Sequence, residues 1–215
     1  MNNTIKAVIF DLGGVLIDWN PEYVFLDVFD GDRQKMQWFF DNICTMDWNE
    51  NQDAGYPIAK ATEERIAMYP EHEALIKMYY GRWVEMLGGA INGTVGILKS
   101  LIDNPNLKVV ALTNWSHETF PIALQRFDFL HWFEGIVVSG EEKTRKPFKE
   151  IYETTLSRYS IVAKEAIFID DNLRNIKAAT DLGINGIHFE SPEQLTKDLK
   201  TYHINIQEND SNLSQ

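Results

Sequence analysis

Four short polar patches carry the residue types that could do chemistry in this chain. Asp11 ends the run Ala-Val-Ile-Phe-Asp, and Thr113-Asn114 ends Val-Val-Ala-Leu-Thr-Asn. Lys146 lies in Thr-Arg-Lys-Pro, and Asp170-Asp171 ends Ala-Ile-Phe-Ile-Asp-Asp. Three of these patches directly follow apolar runs that are typical of buried parallel strands, whose carboxyl ends line one crevice. The order therefore predicts three carboxylates, a hydroxyl and a lysine around one point, a set suited to holding a divalent cation and attacking a phosphate.

The elements that must position these patches can be predicted from periodicity and turn residues. Helical spacing predicts four helices, which run from Thr94 to about 102, from Ser116 with Pro121 early in the helix, from Pro147 to about 159, and from Asn172 to Gly183. Short apolar runs without strict alternation predict strands buried on both faces; they cover residues 6–10, 108–112, 135–138, 166–169 and 186–189. Strands that alternate with helices of this length predict an α/β fold with a doubly wound, mostly parallel sheet.

The segment 18–93 breaks this alternation. It is rich in Trp, Phe and Tyr, it has helical periodicity, and it opens with Asn20-Pro21, which is typical of a helix N-terminus. We therefore expect an α/β core from residues 1–17 and 94–206, with an inserted helical domain at 18–93. The polar residues 207–215 are expected to be a disordered tail.

Composition and charge exclude several function classes. A hydrophobic content of 44%, with 24% charged residues, is ordinary for a globular protein. The formal net charge of −12 argues against nucleic acid and against an anionic membrane surface as partners. Cys44 is the only cysteine, which fits a reducing compartment and a cytoplasmic location. No apolar run is long enough for a membrane helix. We expect a monomer or homodimer that binds a small phosphorylated metabolite.

Taken together and in order, the four patches resemble those of haloacid dehalogenase superfamily hydrolases with a helical, C1-type cap. The resemblance implies that Asp11 is a nucleophile that forms an aspartyl-phosphate. It implies that Mg²⁺ is held by Asp11, Asp170, Asp171 and the carbonyl of Gly13. Thr113 and Asn114 would bind the phosphoryl oxygens through a hydroxyl and an amide N–H, and Lys146 would neutralise their charge. The inserted domain would be the cap that chooses the substrate, with hinges near Asp18 and Gly88-Gly89.

The sequence departs from the common phosphatase pattern at Gly13, where many members carry a second Asp as general acid and base. The glycine fits a phosphatase branch whose first motif reads Asp-Leu-Gly followed by Asn or Gly, which includes a sugar-1-phosphate phosphatase. An anomeric oxygen is a good leaving group, so such a substrate needs less help from an acid, whose usual contribution is ~10²–10⁴-fold. On this interpretation the protein is a Mg²⁺-dependent phosphatase, with a small sugar phosphate as its substrate.

The lack of a second Asp at position 13 also leaves two alternative functions open. A 2-haloacid dehalogenase likewise lacks the second Asp, but the adjacent acids Asp170 and Asp171 would then lie beside an anionic haloacid. A degenerate relative could bind a phosphorylated ligand or a partner without turnover, but it would have no need for Asp11.

Several weaker candidates surround the expected site. Asp18, Trp19 and His117 could reach substrate or supply a proton, or serve as linker and helix residues. The stretches Asp47-Trp48-Asn49 and Asp53-Ala54-Gly55-Tyr56 could form a sugar-binding surface or a solvated turn.

Overall fold

The computed structural model describes residues 4–206, so the predicted disordered tail at 207–215 lies outside the described residues. Seven strands are formed: β1 (Ala7–Phe10), β2 (Ile17–Trp19), β3 (Leu87–Ala90), β4 (Lys108–Thr113), β5 (Ile136–Val138), β6 (Ala166–Asp170) and β7 (Asn185–His188). Eleven α-helices are formed: α1 (Glu22–Val28), α2 (Arg33–Asn42), α3 (Met46–Asp53), α4 (Ile58–Met68), α5 (Glu73–Gly81), α6 (Asn92–Ile102), α7 (Phe120–Arg126), α8 (Ser139–Glu142), α9 (Lys149–Arg158), α10 (Leu173–Asp181) and α11 (Pro192–Thr201).

Five strands form one parallel sheet in the order β5-β4-β1-β6-β7. This confirms the predicted α/β class, and each of the five predicted strands is present within one or two residues of its expected bounds. β1 lies at the centre and pairs with β4 on one side and β6 on the other. The three strands that carry Asp11, Thr113 and Asp170 are therefore direct neighbours.

Alternate residues along the strands enter two separate hydrophobic cores, one on each face of the sheet. Val8 and Phe10 of β1 belong to the larger core, and Ala7 and Ile9 belong to the smaller one. Helices α6 and α11 pack against the larger core, whereas α9 and α10 pack against the smaller one. Burial on both faces explains why these strands are apolar throughout rather than alternating.

Helices α1 to α5 form the inserted helical segment between β2 and β3, as the aromatic stretch predicts. Its rings pack on one another: Phe25 lies 5.3 Å from Phe39, and Trp48 lies 5.3 Å from Tyr79, between ring centroids. The aromatic residues are thus used mainly to build an internal core. Cys44 is buried there as a small apolar residue, and burial raises the pKa of its thiol to about 12.

A two-stranded antiparallel sheet of β2 and β3 joins the two ends of the inserted segment. It was not predicted, because three- and four-residue strands that contain Asp18, Gly88 and Gly89 carry too little apolar pattern. The expected hinges coincide with this ladder. Gly88 is needed there because a Cβ would lie 2.3 Å from the carboxylate of Asp18. Movement about these hinges stays a prediction.

Three helix starts differ from expectation. Thr94 does not cap α6, which begins at Asn92, and Thr94 is buried within it. The carbonyl of Ser116 accepts the N–H groups of Thr119 and Phe120, so a turn precedes α7. Likewise, α9 begins two residues after Pro147. The fourth start is confirmed, since the Asn172 side chain accepts the N–H of Arg174 at 3.0 Å. Within the part of the chain that the structure describes, no helix is long and apolar enough to cross a membrane.

Candidate active site

The carboxyl ends of β1 and β6 bring three carboxylates together. Asp11 follows β1, Asp170 ends β6, and Asp171 comes next in the chain. One oxygen from each of the three can be chosen so that all lie within 4.8 Å of one another. Asp11 and Asp170 are buried, whereas Asp171 is exposed at the mouth of the site. The proximity that the sequence predicts is therefore present.

Lys146 fills the space between two of these acids. Its side chain is completely buried, and its Nζ lies 2.9 Å from Asp11 Oδ1 and 2.6 Å from Asp170 Oδ2. Burial opposes the charge on this amine, but Asp11 and Asp170 outweigh burial and raise the pKa of Lys146. The amine is therefore a fixed cation next to the expected nucleophile.

The loop that carries Lys146 is held by Asn114. The Asn114 amide donates to the Lys146 carbonyl at 3.0 Å and accepts its N–H at 2.8 Å. The side chain of Asn114 therefore positions the lysine. Because the side chain is used in this way, a phosphoryl oxygen would be bound by the backbone N–H of Asn114. The predicted contact between an amide N–H and the phosphoryl group therefore stays a prediction.

Thr113 supplies an unsatisfied hydroxyl at the end of β4. The residue is 1% exposed, and its Oγ1 is a buried polar atom without a hydrogen-bond partner among the described residues. Buried polar groups in native proteins are almost always paired, so such an exception needs a physical reason. A phosphoryl oxygen is the partner that the sequence predicts for it.

Asp170 is held by the start of α10. Its Oδ1 accepts the N–H of Asn172 at 2.8 Å, and the Asn175 amide donates to both of its oxygens at 3.0 and 3.1 Å. With Lys146, these donors fix the orientation of the carboxylate. Asn172 and Asn175 therefore hold the loop that follows β6.

The single positive charge of Lys146 does not balance the negative charges of the three carboxylates. Burial raises the pKa of Asp11 to about 8 against the opposing effect of Lys146, and Asp170 and Asp171 raise it further. Burial and the charge of Asp170 also raise the pKa of Asp171. Acidic oxygen ligands of this kind suit Mg²⁺, which binds through one or two carboxylates and keeps several waters. The donor set therefore fits a magnesium ion.

We expect the stabilisation of the protein by Mg²⁺ to increase with pH. A carboxyl whose pKa is raised on folding binds more protons in the folded state, so its contribution to stability is lost as pH rises. For Asp11 this loss runs from pH 3.8, its ordinary pKa, to about pH 8. Mg²⁺ at about 100 times its Kd should add ~2.7 kcal/mol, or roughly 5–10 °C in Tm. The test is the difference in Tm between Mg²⁺ and EDTA at pH 5.5 and pH 8.

In that experiment Asp171→Asn serves as the comparison variant, because it removes one expected ligand without changing the buried pair of Asp11 and Lys146. The Mg²⁺ increment should be smaller in the variant at pH 8. An increment that is equal at both pH values in the wild type would contradict the assignment of Mg²⁺ to these carboxylates.

Gly13 and Gly14 make the turn after Asp11, and they differ in how much space a side chain would have. A Cβ on Gly13 would meet no atom within 4 Å, whereas one on Gly14 would lie 2.2 Å from Asp171 Oδ2. Gly14 also has φ +73°, which L side chains rarely adopt. The turn thus lies directly against Asp171, and the Gly13 carbonyl stays a predicted metal ligand.

This difference gives a matched pair of substitutions. Gly14→Ala should displace Asp171 and weaken Mg²⁺ binding by ~10–100-fold, as changes that misplace a ligand typically do. Gly13→Ala should bind Mg²⁺ with nearly normal affinity, because its methyl group enters open space. Calorimetric titration of both variants with Mg²⁺ would check this. Equal affinities would show that the contact between Gly14 and Asp171 does not matter.

A cavity of about 460 Å³ opens above the carboxylates. Its floor includes Asp11, Gly13, Asn114, Lys146 and Asp171. Its roof and walls are largely aromatic and apolar, with polar groups from one face of α3; they include Trp19, Met46, Asn49, Glu50, Asp53, Tyr80, Trp83 and Trp115. The inserted helical segment therefore covers the candidate site, as a cap would.

Of the weaker candidates, the structure places some at the cavity and others away from it. Trp19, Asn49 and Asp53 line it. Asp18 instead accepts a hydrogen bond from Tyr23 at 2.5 Å, and the Tyr56 hydroxyl donates to Glu64 at 2.8 Å.

Glu50, which was not predicted as a site residue from the sequence, links α3 to the core beside the cavity. Its carboxylate lies 2.6 Å from Arg145 Nη2 and also pairs with Arg174. Glu50 and Arg145 are each only 14% exposed. This ion pair gives Arg145 a structural role. Nothing local in the sequence could have paired residues that lie 95 or 124 positions apart.

The fold has counterparts in known proteins. The family model described as haloacid dehalogenase-like hydrolase matches residues 8–189. A sesquiterpene phosphatase of Aspergillus oryzae is 27% identical over 202 residues, which cover 87% of this chain and 91% of that protein. A phosphorylated carbohydrates phosphatase of Thermotoga maritima is 23% identical over 202 residues, covering 86% of this chain and 84% of that protein.

Among solved structures, a haloacid dehalogenase family enzyme of Bacteroides thetaiotaomicron in a magnesium complex has a TM-score of 0.71 and 23% sequence identity. The match covers 92% of this chain and 100% of that chain. At this identity the likeness shows a shared fold.

Proposed function

Because this chain belongs to the haloacid dehalogenase-like hydrolase family, we propose that it is a Mg²⁺-dependent phosphatase that cleaves a small phosphomonoester through an aspartyl-phosphate. The observation that carries the proposal is the cluster of three carboxylates with a buried lysine between two of them. The similarity of the chain to a sesquiterpene phosphatase and to a phosphorylated carbohydrates phosphatase supports the same reaction class.

In the proposed mechanism, an oxygen of Asp11 attacks phosphorus and the ester oxygen leaves with the bonding electron pair. Lys146 and the hydroxyl of Thr113 stabilise the negative charge on the phosphoryl oxygens, the role of cations and donors throughout phosphoryl transfer. Water then attacks the aspartyl-phosphate and restores Asp11. Mg²⁺, held by Asp11, Asp170, Asp171 and the Gly13 carbonyl, would neutralise charge on the same oxygens. The covering helices would exclude water until the ester has formed.

The carboxylate pair Asp170 and Asp171 argues against a 2-haloacid dehalogenase. Asp170 is buried and already neutralised by Lys146, and Asp171 would add uncompensated charge where a haloacid carboxylate would bind. The orphaned hydroxyl of Thr113 also suits a tetrahedral phosphoryl group. A degenerate binding protein would have no use for Asp11 held against a buried lysine.

A small sugar phosphate stays our proposed substrate. Aromatic rings line the cavity at Trp19, Trp83 and Trp115, and the ring of Trp19, the least buried of the three, is the one on which a sugar can stack. The same rings, together with Met46, favour an isoprenoid phosphate as a second candidate, since an apolar alcohol would bury well there. The two candidates share the phosphoryl site and differ only in the leaving alcohol.

The test of the proposal is phosphate release from a panel of sugar phosphates, isoprenoid phosphates and 4-nitrophenyl phosphate, with Mg²⁺ and with EDTA. Halide release from 2-chloropropionate is measured in parallel. Phosphate release that requires Mg²⁺ is expected. Halide release that survives EDTA, without phosphate release, would overturn the proposal in favour of a dehalogenase.

Rates on glucose 1-phosphate and glucose 6-phosphate address the glycine at position 13. If the reaction proceeds without a general acid, the anomeric ester should react faster because its alcohol leaves more readily. A clear preference for the 6-phosphate would mean that a proton donor comes from elsewhere in the protein.

A further inference from the structure

The structure leaves room for a proton donor at the reacting ester. Gly13 cannot supply one, and a Cβ built there meets nothing within 4 Å. Asp11 and Gly13 both line the cavity. A donor must therefore come from another wall of the cavity. Besides the expected metal ligands, the carboxyl groups that line this cavity are those of Glu50 and Asp53, both on α3.

These two acids have different surroundings. Glu50 is bound to the guanidinium groups of Arg145 and Arg174, so its carboxylate is committed to ion pairs. Asp53 makes no ion pair among the described residues, and its Oδ2 accepts a hydrogen bond from Asn49 Nδ2 at 3.2 Å. Glu50 and Asp53 are three residues apart, so they project from the same face of the helix.

Asp53 is also held firmly against the core. Its backbone carbonyl accepts a hydrogen bond from Ser139 Oγ at 2.5 Å. Ser139 is completely buried, and its hydroxyl accepts the N–H of Trp115, the residue after Asn114, at 2.8 Å. One hydroxyl therefore fixes the end of α3 to the strand end that carries the expected phosphoryl site.

We propose that Asp53 is the general acid and base of this enzyme, replacing the carboxylate that is missing at Gly13. This inference rests on the proposed phosphatase function. When Asp11 attacks phosphorus, the carboxyl group of Asp53 gives its proton to the departing ester oxygen. The resulting carboxylate then takes a proton from the water that attacks the aspartyl-phosphate, so the cycle returns Asp11 and Asp53 to their starting states and releases phosphate.

The electrostatic surroundings of Asp53 suit this role. Burial and then Glu50 on its own helix raise the pKa of Asp53 to about 7, while Arg145, the N–H of Ser116 and Lys146 act in the opposite direction. A carboxyl with a pKa near neutrality is present in both protonation states at working pH, which a group that alternates between acid and base requires.

The test compares kcat/KM for phenyl phosphate and 4-nitrophenyl phosphate in the wild type and in Asp53→Asn. The two esters have similar shapes, but nitrophenolate leaves readily without a proton and phenolate does not. Because kcat/KM reports the steps up to release of the alcohol, loss of the acid should lower it by ~10²–10⁴-fold for phenyl phosphate. The loss for 4-nitrophenyl phosphate should be at least about tenfold smaller, since that ester depends less on an acid.

Asp27→Asn is the control, because Asp27 is exposed on α1 and should show normal rates on both esters. Asp53→Glu keeps a proton donor, so it should restore part of the rate on phenyl phosphate if the acid is what matters. Melting temperatures confirm that each variant is folded.

The outcomes separate this inference from the proposed function. Equal losses on both esters, or none, in an active enzyme would overturn the role of Asp53 and leave the phosphatase standing. Absence of Mg²⁺-dependent phosphate release in the wild type from every ester of the panel, these two included, would overturn the proposed function itself, and the inference with it.

Discussion

Asp11→Asn should abolish turnover while the protein stays folded. The amide is nearly isosteric with the carboxylate, but it is a far weaker nucleophile, so no aspartyl-phosphate can form. We expect a loss of at least about 10⁴-fold in kcat, since a reaction that depends on one nucleophile loses most of its acceleration without it. The measurement is phosphate release from the best ester in the panel, alongside the melting temperature.

The fold should tolerate this change for a reason visible in the site. Asp11 lies close to Asp170 and Asp171, and burial raises its pKa to about 8, so a neutral group is favoured there. Asp11→Asn should therefore melt within a few degrees of the wild type. The exposed substitution Asp27→Asn serves as the control and should retain full turnover.

A direct search for the intermediate sharpens the test. Acid quenching of the wild type during turnover should trap phosphate on the peptide that contains Asp11, and Asp11→Asn should trap none. Near-normal phosphate release by the variant would exclude the covalent mechanism, whatever the trapping experiment shows.

The parts of this molecule that the sequence predicts are those determined by local pattern. The runs before Asp11, Thr113 and Asp170 are apolar because both faces of each strand are buried, and the polar residue marks the end of the strand. Topology rules then place these ends side by side. The α/β class and the grouping of the acids follow from that reasoning, and the metal and phosphoryl roles stay predictions.

The features that the sequence could not predict depend on contacts across the molecule. Asp53 reads as part of a polar loop, and only the folded chain places it at the cavity. Its anchor, Ser139, lies 86 positions away. The side chain of Asn114 holds the backbone of Lys146, 32 positions away, while the contact of its N–H with a phosphoryl group stays a prediction. Such pairings leave no periodic trace, so they become visible only when the covering helices are in place.

Lys146→Ala should damage both turnover and stability, and the two effects can be separated. Removing one charged donor from the phosphoryl site should lower kcat by ~10²–10³-fold. Removing the cation also leaves Asp11 and Asp170 buried without it, and breaking a buried pair in this way typically costs ~3–5 kcal/mol. Denaturant unfolding in EDTA at pH 8 would measure the loss of stability.

The loss of stability should depend on conditions in a defined way. With the lysine absent, protonation of Asp11 or binding of Mg²⁺ can remove the repulsion, so the difference between variant and wild type should shrink at pH 5.5 or with Mg²⁺. The loss of kcat should persist with Mg²⁺, because the ion is then present in both enzymes and only the variant lacks the proposed contact of the lysine with the phosphoryl oxygens. Lys149→Ala is the matched control, since Lys149 is 64% exposed in a pair with Glu153 and should change neither quantity measurably. A Lys146→Ala enzyme that kept normal turnover would show that the buried amine is only a structural counterion.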